Sequence, residues 1–444
     1  MSYELIAISM FVAMVVLLAV TGREIFAVIG TVAVAFALAL WGPDKALEIA
    51  FHGSYKVINW YSLVSLPMFV YMGYMFAKSG IADDLYQMFY VWMGPVRGGL
   101  AIGTVLLQTI IAAINGLSVA GMSIGSTLCM PEMLKRKYDK ILVTGVIMGS
   151  SSLGILIPPS VVLVLYAMIA RQPVGKLWMA GFLPGFLMAF LFIVYIAVRC
   201  WLRPELGPPA PLEERQIPWA QKLALLRSGI IPVLIIFSMT GLFLLGITTM
   251  VEASAVGALL TTLIALLKRR LDWPAMLDVL RETLRVSCMF MWIISAALVF
   301  SAVYDALGAV KALERIFLGH LSPMAVLAVM QASFLVMGTF LDDTAMLIVV
   351  APLYLPLLVK MGFDPTWYGI LYTITCQVAY LTPPFGYNLF LMKAMAPREI
   401  TLLDIYRSIV PFVAVMVVTL IILMAFPQIA LWLPQVYFQG RAMR

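Results

Sequence analysis

A chain of 444 residues that is 63% hydrophobic and only 11% charged is not an ordinary soluble protein, in which about a quarter of residues carry charge. An all-α polytopic membrane protein is expected, with its net charge of +7 reflecting the positive-inside bias of loops rather than a nucleic-acid surface. Four scattered cysteines (Cys129, Cys200, Cys288, Cys376) and two histidines (His52, His320) argue against a disulfide framework, a zinc site or a His-based metal centre.

Residues 5–20 and 26–40 read as two spans joined by the turn Gly22-Arg23-Glu24. The first has neither a basic lead nor a small-residue cleavage site and is expected to be retained. Residues 44–56 are mixed and interfacial, 60–76 form a third span, and 83–93 are short and amphipathic. Residues 99–130 are too long for one span, and Asn115-Gly116 lies at their centre, followed by Ser118, Gly121, Ser123, Gly125 and Ser126. Two arms of about 15 residues each fall short of the roughly 20 needed to cross. They predict a re-entrant hairpin with its tip at 115–118; a small-residue helix-packing face is the competing account.

The apolar run 141–169 is interrupted by Gly154-Ile155-Leu156-Ile157-Pro158-Pro159-Ser160. Each proline lacks an N–H and crowds the carbonyl four residues back, so the helix must break there. In hydrocarbon, freed carbonyls are tolerated only where they face protein, water or an ion. Residues 177–198 span, and the proline-rich polar loop 199–227 divides the chain into halves. Spans follow at 228–245, 251–267 and 286–303, with an amphipathic 273–284 and a short 313–321.

Residues 325–358 mirror the first hairpin around Gly338-Thr339-Phe340-Leu341-Asp342-Asp343-Thr344. Carboxylates at membrane depth are costly and functional by default, so Asp342 is expected to be buried or to face a cavity, more so than Asp343; a tip at the water surface is the alternative. A second run, 367–392, is broken by Ala379-Tyr380-Leu381-Thr382-Pro383-Pro384-Phe385-Gly386, and 409–429 is the last span. Val436-Tyr437-Phe438-Gln439-Gly440 resembles a protease-site remnant, a native tail being the other account, and 436–444 are set aside.

The two breaks are in register. Asp139 to Asp364 and Pro158 to Pro383 are both 225 residues apart, with a lysine and an aromatic residue matched in each lead-in. Placing Lys135, Arg136, Lys137 and Lys140 inside also puts 22–24, Lys78, 199–227, 268–270 and 393–407 inside, and both termini outside. The hairpins then open from opposite sides, so the halves are inverted repeats with broken helices at mid-membrane, an architecture of secondary transporters.

A hard monovalent cation takes several oxygen ligands, which a Pro-Pro break, the Asn115 amide and the Thr382 hydroxyl offer. No carboxylate stands beside either Pro-Pro pair, which suits Na⁺ better than a divalent ion. Helix N-termini at the breaks favour an anionic substrate. No Walker motif is present, so energy must come from an ion gradient or a partner.

These residues are recognisable together. Pro131-Glu132-Met133-Leu134-Lys135-Arg136-Lys137-Tyr138-Asp139-Lys140, the Gly154 to Ser160 motif, Gly175-Lys176-Leu177, Ala180-Gly181, Pro184-Gly185, the Gly338 to Thr344 motif, and Leu381-Thr382-Pro383-Pro384 with Gly386 and Asn388-Leu389-Phe390 resemble the large (DctM-like) membrane subunit of the tripartite ATP-independent periplasmic (TRAP) transporters along nearly the whole chain. The resemblance implies an elevator, related to the ion transporter superfamily, in the bacterial inner membrane. Na⁺ would drive uptake of an organic carboxylate delivered by a periplasmic substrate-binding protein, and a separate small four-helix membrane subunit would join the scaffold. It implies scaffold helices at 1–98 and 177–322, transport-domain halves at 99–176 and 323–396, and a C-terminal helix at 397–435. Lipid is a partner; nucleic acid is not.

Carried over by motif, one Na⁺ site would use Asn115, Gly154, Ile157 and Pro159, and the other Gly338, Ala379, Thr382 and Phe385. Asp342, Ser118, Leu117 and Ser160 would face the substrate. The chain departs from the resemblance in places. The family often has Ser-Gly-Ser-Ser at the first tip, Ser at Ala112, and Gly at Ala379 and Asp343. Ala112 removes a hydroxyl that the Asn115 amide would offset. Leu117 removes a hydrogen-bond donor, which disfavours a heavily hydroxylated sugar acid such as sialic acid and leaves a smaller or partly apolar carboxylate. The alternatives are a Na⁺/dicarboxylate symporter that needs no binding protein and, poorly supported by two histidines near span ends, an intramembrane enzyme.

Overall fold

The computed structural model describes residues 3–211, 217–308, 322–339, 341, 343–383 and 386–442, and all regular structure among them is helical. The first helices are α1 (Tyr3–Thr21), α2 (Ile25–Ile58), α3 (Ser65–Lys78) and α4 (Ile81–Met93). Helix α2 breaks at Gly42, whose φ of 81° lies in the left-handed region, so the expected span and interfacial segment are its two arms. Helices α5 (Gly99–Asn115), α6 (Ser118–Ile124) and α7 (Met130–Lys135) make the first hairpin, and α8 (Lys140–Ser151) and α9 (Val161–Ile169) the first broken helix. Next come α10 (Val174–Leu202), α11 (Trp219–Leu244), α12 (Met250–Leu267) and α13 (Trp273–Ala306). The second hairpin is α14 (Pro323–Met337) with α15 (Asp343–Lys360), and the second broken helix is α16 (Pro365–Tyr380) with α17 (Tyr387–Met395). Helices α18 (Leu402–Ala425) and α19 (Gln428–Ala442) end the described chain.

Six described helices, α2, α10, α11, α12, α13 and α18, are long and apolar enough to cross a membrane. Helix α13 is continuous where an amphipathic piece and a span were expected, because no Gly or Pro separates Leu284 from Val286. Helix α11 begins at Trp219, earlier than position 228, and its first turn is held by Trp92 Nε1 donating to the Lys222 carbonyl at 3.2 Å. The last expected span is two helices, parted at Phe426-Pro427. The tail set aside at 436–444 continues α19 to Ala442, with the Tyr437 hydroxyl donating to the Leu244 carbonyl. The expected short segment 313–321 lies outside the described residues.

The first hairpin is antiparallel. Gln108 Nε2 donates to the Gly121 carbonyl at 2.7 Å, Thr104 Oγ1 lies 4.0 Å from Met133 Sδ, and the Leu100 N–H donates to Tyr138 Oη at 3.2 Å. In the second, Ser333 Oγ and Tyr354 Oη are 2.8 Å apart. Helices α2, α3, α12 and α13 pack on one another, whereas α10 and α18 pack chiefly on the hairpins, the broken helices and α19. The regions expected as scaffold at 177–322 and as a separate C-terminal helix at 397–435 therefore each place a helix against the hairpin units.

The offset of 225 residues reappears in the local geometry. Asp139 Oδ1 accepts from the Leu142 N–H at 2.9 Å, and Asp364 Oδ1 accepts from the matching Trp367 N–H at 3.4 Å. Gln377 Nε2 donates to the Ser152 carbonyl, its partner at the same 225-residue separation, at 2.8 Å. Ion pairs also join the halves, among them Lys140 to Asp404 at 2.7 Å and Lys176 to Asp364 at 3.3 Å. Lys140 and Asp404 both belong to segments that the charge rule put inside.

A buried polar joint ties the halves at their centre. The Asn388 amide donates to Ser118 Oγ at 3.0 Å and Ser151 Oγ at 3.3 Å, and its oxygen accepts from the Ser118 hydroxyl at 3.1 Å. Asn388→Leu removes these bonds and leaves Ser118 with only a 3.5 Å contact to Ser151 Oγ, while Ser151 keeps its bond to the Met148 carbonyl. Each buried unsatisfied group costs about 1–3 kcal/mol, so thermal unfolding of the purified protein is expected at a clearly lower temperature than wild type.

The first tip seats directly on the first break. Gly116 has φ +67°, and a Cβ there would stand 2.1 Å from the Pro159 carbonyl oxygen; a Cβ on Gly154 would stand 2.6 Å from that of Leu117. Gly116→Ala is expected to destabilise by more than the roughly 1–2 kcal/mol of left-handed strain, because the tip must also lift. Gly154→Ala, without the φ term, is expected to cost less; the same unfolding measurement ranks the two.

Candidate functional site

The two tips, the two breaks and the α1–α2 turn border one cavity of about 350 Å³. Leu117 and Ser118 come from the first tip, Ile155 and Val161 flank the first break, Gly338 and Asp343 come from the second tip, and Ala379 and Tyr380 precede the second break. The remaining wall comes from the turn residue Arg23, from Val70, Gly73 and Tyr74 of α3, and from Val286 and Phe290 of α13. The lining is predominantly apolar with a few polar groups, the usual make-up of a small-molecule site.

The sequence-predicted residues divide into two groups. Leu117, Ser118, Gly338 and Ala379 line the cavity. Asn115, Gly154, Ile157, Pro159, Ser160 and Thr382 stand behind its wall. Asp342 and Phe385 lie outside the described residues.

Behind the first tip, the break leaves oxygen atoms open. The Ile157 N–H turns back to the Leu153 carbonyl at 2.9 Å, and the Val161 N–H reaches the Gly116 carbonyl at 3.4 Å. The carbonyls of Gly154, Ile157 and Pro159 accept no hydrogen bond among the described residues. The Asn115 amide oxygen accepts from the Leu117 N–H at 2.8 Å, a local turn that closes the tip and leaves the oxygen a second lone pair. Its Nδ2 is buried without a partner, and a Cβ on Gly73 of α3 would stand 2.9 Å from Asn115 Cβ. The Ala112 carbonyl is taken by the Gly116 N–H at 3.3 Å.

Ser160 does not line the cavity. Its hydroxyl donates to the Ile155 carbonyl at 2.5 Å and accepts from the Leu163 N–H at 3.2 Å. It caps α9 and bridges the break, which uses its donor.

The second tip and break are closer to saturation. A Cβ on Gly338 would stand 2.4 Å from Ala379 Cβ, so tip and helix touch there. The Ala379 carbonyl accepts from the Thr382 N–H at 3.1 Å, and Thr382 Oγ1 donates to the Val378 carbonyl at 2.7 Å. The Thr382 oxygen keeps its lone pairs.

Sequence reasoning missed Arg23, Tyr74, Tyr380 and the role of Asn388. Arg23 reads as an ordinary turn cation and the tyrosines as core. The signal for Asn388 was its place in the Asn388-Leu389-Phe390 motif, and that for Gln377 its spacing of 225 from Ser152. Among the described residues no three His, Cys, Asp or Glu gather as for a metal site.

Over residues 11–429 the chain matches the family described as "Tripartite ATP-independent periplasmic transporter, DctM component". It is 30% identical over 407 residues, 90% of this chain and 92% of the relative, to the C4-dicarboxylate TRAP transporter large permease protein DctM of Pseudomonas aeruginosa. It is 29% identical to the ectoine TRAP transporter large permease protein TeaC of Halomonas elongata, covering 85% and 87% of the two chains. To the sialic acid TRAP transporter large permease protein SiaM of Vibrio cholerae it is 24% identical, covering 91% and 93%. In fold it resembles the YdaH transporter of Alcanivorax borkumensis, with a TM-score of 0.60 over 96% of this chain and 98% of that one at 13% identity. These relatives are membrane permeases and not enzymes, and the chain belongs with them to the tripartite ATP-independent periplasmic transporter family as its large permease, the DctM component.

Proposed function

We propose that this permease carries an organic carboxylate across the bacterial inner membrane, coupled to Na⁺, by an elevator motion. The observation that carries this reading is the single cavity bordered by both tips and both breaks, set between them and α3 and α13. A carrier needs its substrate held where one helical group slides against another, and an apolar boundary lowers the cost of sliding. The moving group in this reading is the two hairpins, the two broken helices, α10 and α18; α1–α3 and α11–α13 form the scaffold. The matched caps at Asp139 and Asp364 and the Gln377–Ser152 bond support inverted repeats around a pseudo-twofold axis.

Two Na⁺ ions travel as cargo in this reading. The open carbonyls of Gly154, Ile157 and Pro159 with the Asn115 oxygen support the first site, and Gly338, Ala379, Thr382 and Phe385 make the second. Uncharged oxygens in this number suit a monovalent ion. A small four-helix membrane subunit on the scaffold and a periplasmic binding protein that delivers the substrate complete the system. The apolar lining at Leu117 supports a small, partly apolar carboxylate.

Proteoliposomes holding this chain and its small subunit are expected to take up substrate only with an inward Na⁺ gradient and the cognate binding protein. Uptake without the binding protein replaces this reading with a simple symporter, and uptake without Na⁺ removes the coupling. Thr382→Val is expected to raise the Na⁺ concentration for half-maximal uptake about tenfold, equivalent to about 1.4 kcal/mol. An unchanged Na⁺ dependence at normal expression takes Thr382 out of the site.

A further inference from the structure

The cavity holds charges of both signs, contributed by different helical layers. Arg23 stands in the exposed turn between α1 and α2 and makes no ion pair among the described residues. Asp343 opens α15 at the second tip, is only 6% exposed, and also makes no ion pair there. Its carboxylate accepts from the Tyr380 hydroxyl and the Thr344 N–H, while the Tyr372 hydroxyl holds its backbone carbonyl at 2.5 Å. The carboxylate is thereby fixed in the wall beside Gly338, Thr344 and Tyr380.

Helix capping alone does not require that charge. Helix α9, which also starts at the cavity edge, is capped by the neutral hydroxyl of Ser160, and neutral caps serve a helix start about as well as Asp. An ionised carboxylate with no cationic partner in a low-dielectric wall is costly, and the cavity side is where a partner can arrive. Apart from these two charges the lining is mainly apolar, with Leu117, Val161, Val286 and Phe290 beside the hydroxyls of Tyr74, Ser118, Thr344, Tyr380 and Tyr387.

We propose that the substrate is a zwitterion, a carboxylate that also carries a protonated nitrogen, with Asp343 receiving the nitrogen and Arg23, on another helical layer of the same mainly apolar cavity, receiving the carboxylate. The inference deepens the carrier reading and rests on it for the word substrate; the binding chemistry stands on the cavity alone. Asp343 is a specificity-determining residue in this account, and a dicarboxylate would set like charges against each other there.

The test is equilibrium binding to the purified full chain with its small subunit, which needs neither gradient nor binding protein. The probes are 4-aminobutyrate, β-alanine, butyrate, succinate and Na⁺ alone. The zwitterions are expected to bind about tenfold more tightly than butyrate or succinate. Asp343→Asn is expected to erase that preference by weakening zwitterion binding about tenfold. Arg23→Gln, at an exposed turn where folding is not at stake, is expected to weaken zwitterions and butyrate alike. Succinate binding as well as the zwitterions, no binding of either zwitterion, or a preference that survives Asp343→Asn overturns the proposal. A change confined to Na⁺ binding in Asp343→Asn also overturns it and makes Asp343 an ion ligand. Zwitterion binding without Na⁺-driven uptake in liposomes keeps this inference and removes the coupled-carrier reading.

Discussion

The structure depends on what happens to backbone where a helix stops inside an apolar environment. Two prolines at 158 and 159 leave a run of carbonyls that no helix can satisfy, and hydrocarbon supplies no donors. The molecule answers by placing another irregular stretch against the break. Gly116 and Gly154 let the two backbones approach so closely that a methyl group on either would clash, and only part of the freed polarity is then used internally. What is left open is an array of neutral oxygens of fixed position. The tip needs the break to seat it, and the break needs the tip to keep lipid away.

The same economy organises the contacts between helical groups. Polar bonds cluster within the unit of hairpins and broken helices, at Asn388 with Ser118 and Ser151, at Gln377 with Ser152, and at the ion pairs Lys140–Asp404 and Lys176–Asp364. On α3 and α13 the cavity wall is Val70, Gly73, Tyr74, Val286, Met289 and Phe290. Directional bonds give rigidity, since each has a narrow geometry and a high cost when broken. Dispersion contacts between smooth apolar faces can be exchanged for similar ones. That contrast is what the proposed elevator motion asks for.

Much of this was legible in the sequence because its causes are local. Proline cannot continue a helix, arms of about 15 residues cannot cross a bilayer, and a constant offset of 225 marks a repeat; these placed the first break, the tip and the duplicated lead-ins. Helix boundaries were less legible where nothing local stops a helix, as at 284–286 in α13. The packing of α10 and α18 on the hairpin units was hidden because apolar spans look alike whichever neighbour they meet. The charges at the cavity were hidden for a related reason. Arg23 and Asp343 are 320 positions apart, and only the folded chain brings both to one wall.

The joints between the halves also bear on how the protein is made. Ser118, Ser151 and Ser152 belong to the first half to leave the ribosome, yet their partners Asn388 and Gln377 are synthesised more than 200 residues later. Lys140 likewise waits for Asp404. During that interval the first half carries buried polar groups without their final partners, each at a cost the bilayer does not relieve. The early helices must therefore persist in a loosely assembled, hydrated or escorted form until the second half arrives, and the two halves reach their final packing together. A nascent chain stalled between the halves would be recognisable to membrane quality control by those unpaired groups, long before any transport could be measured.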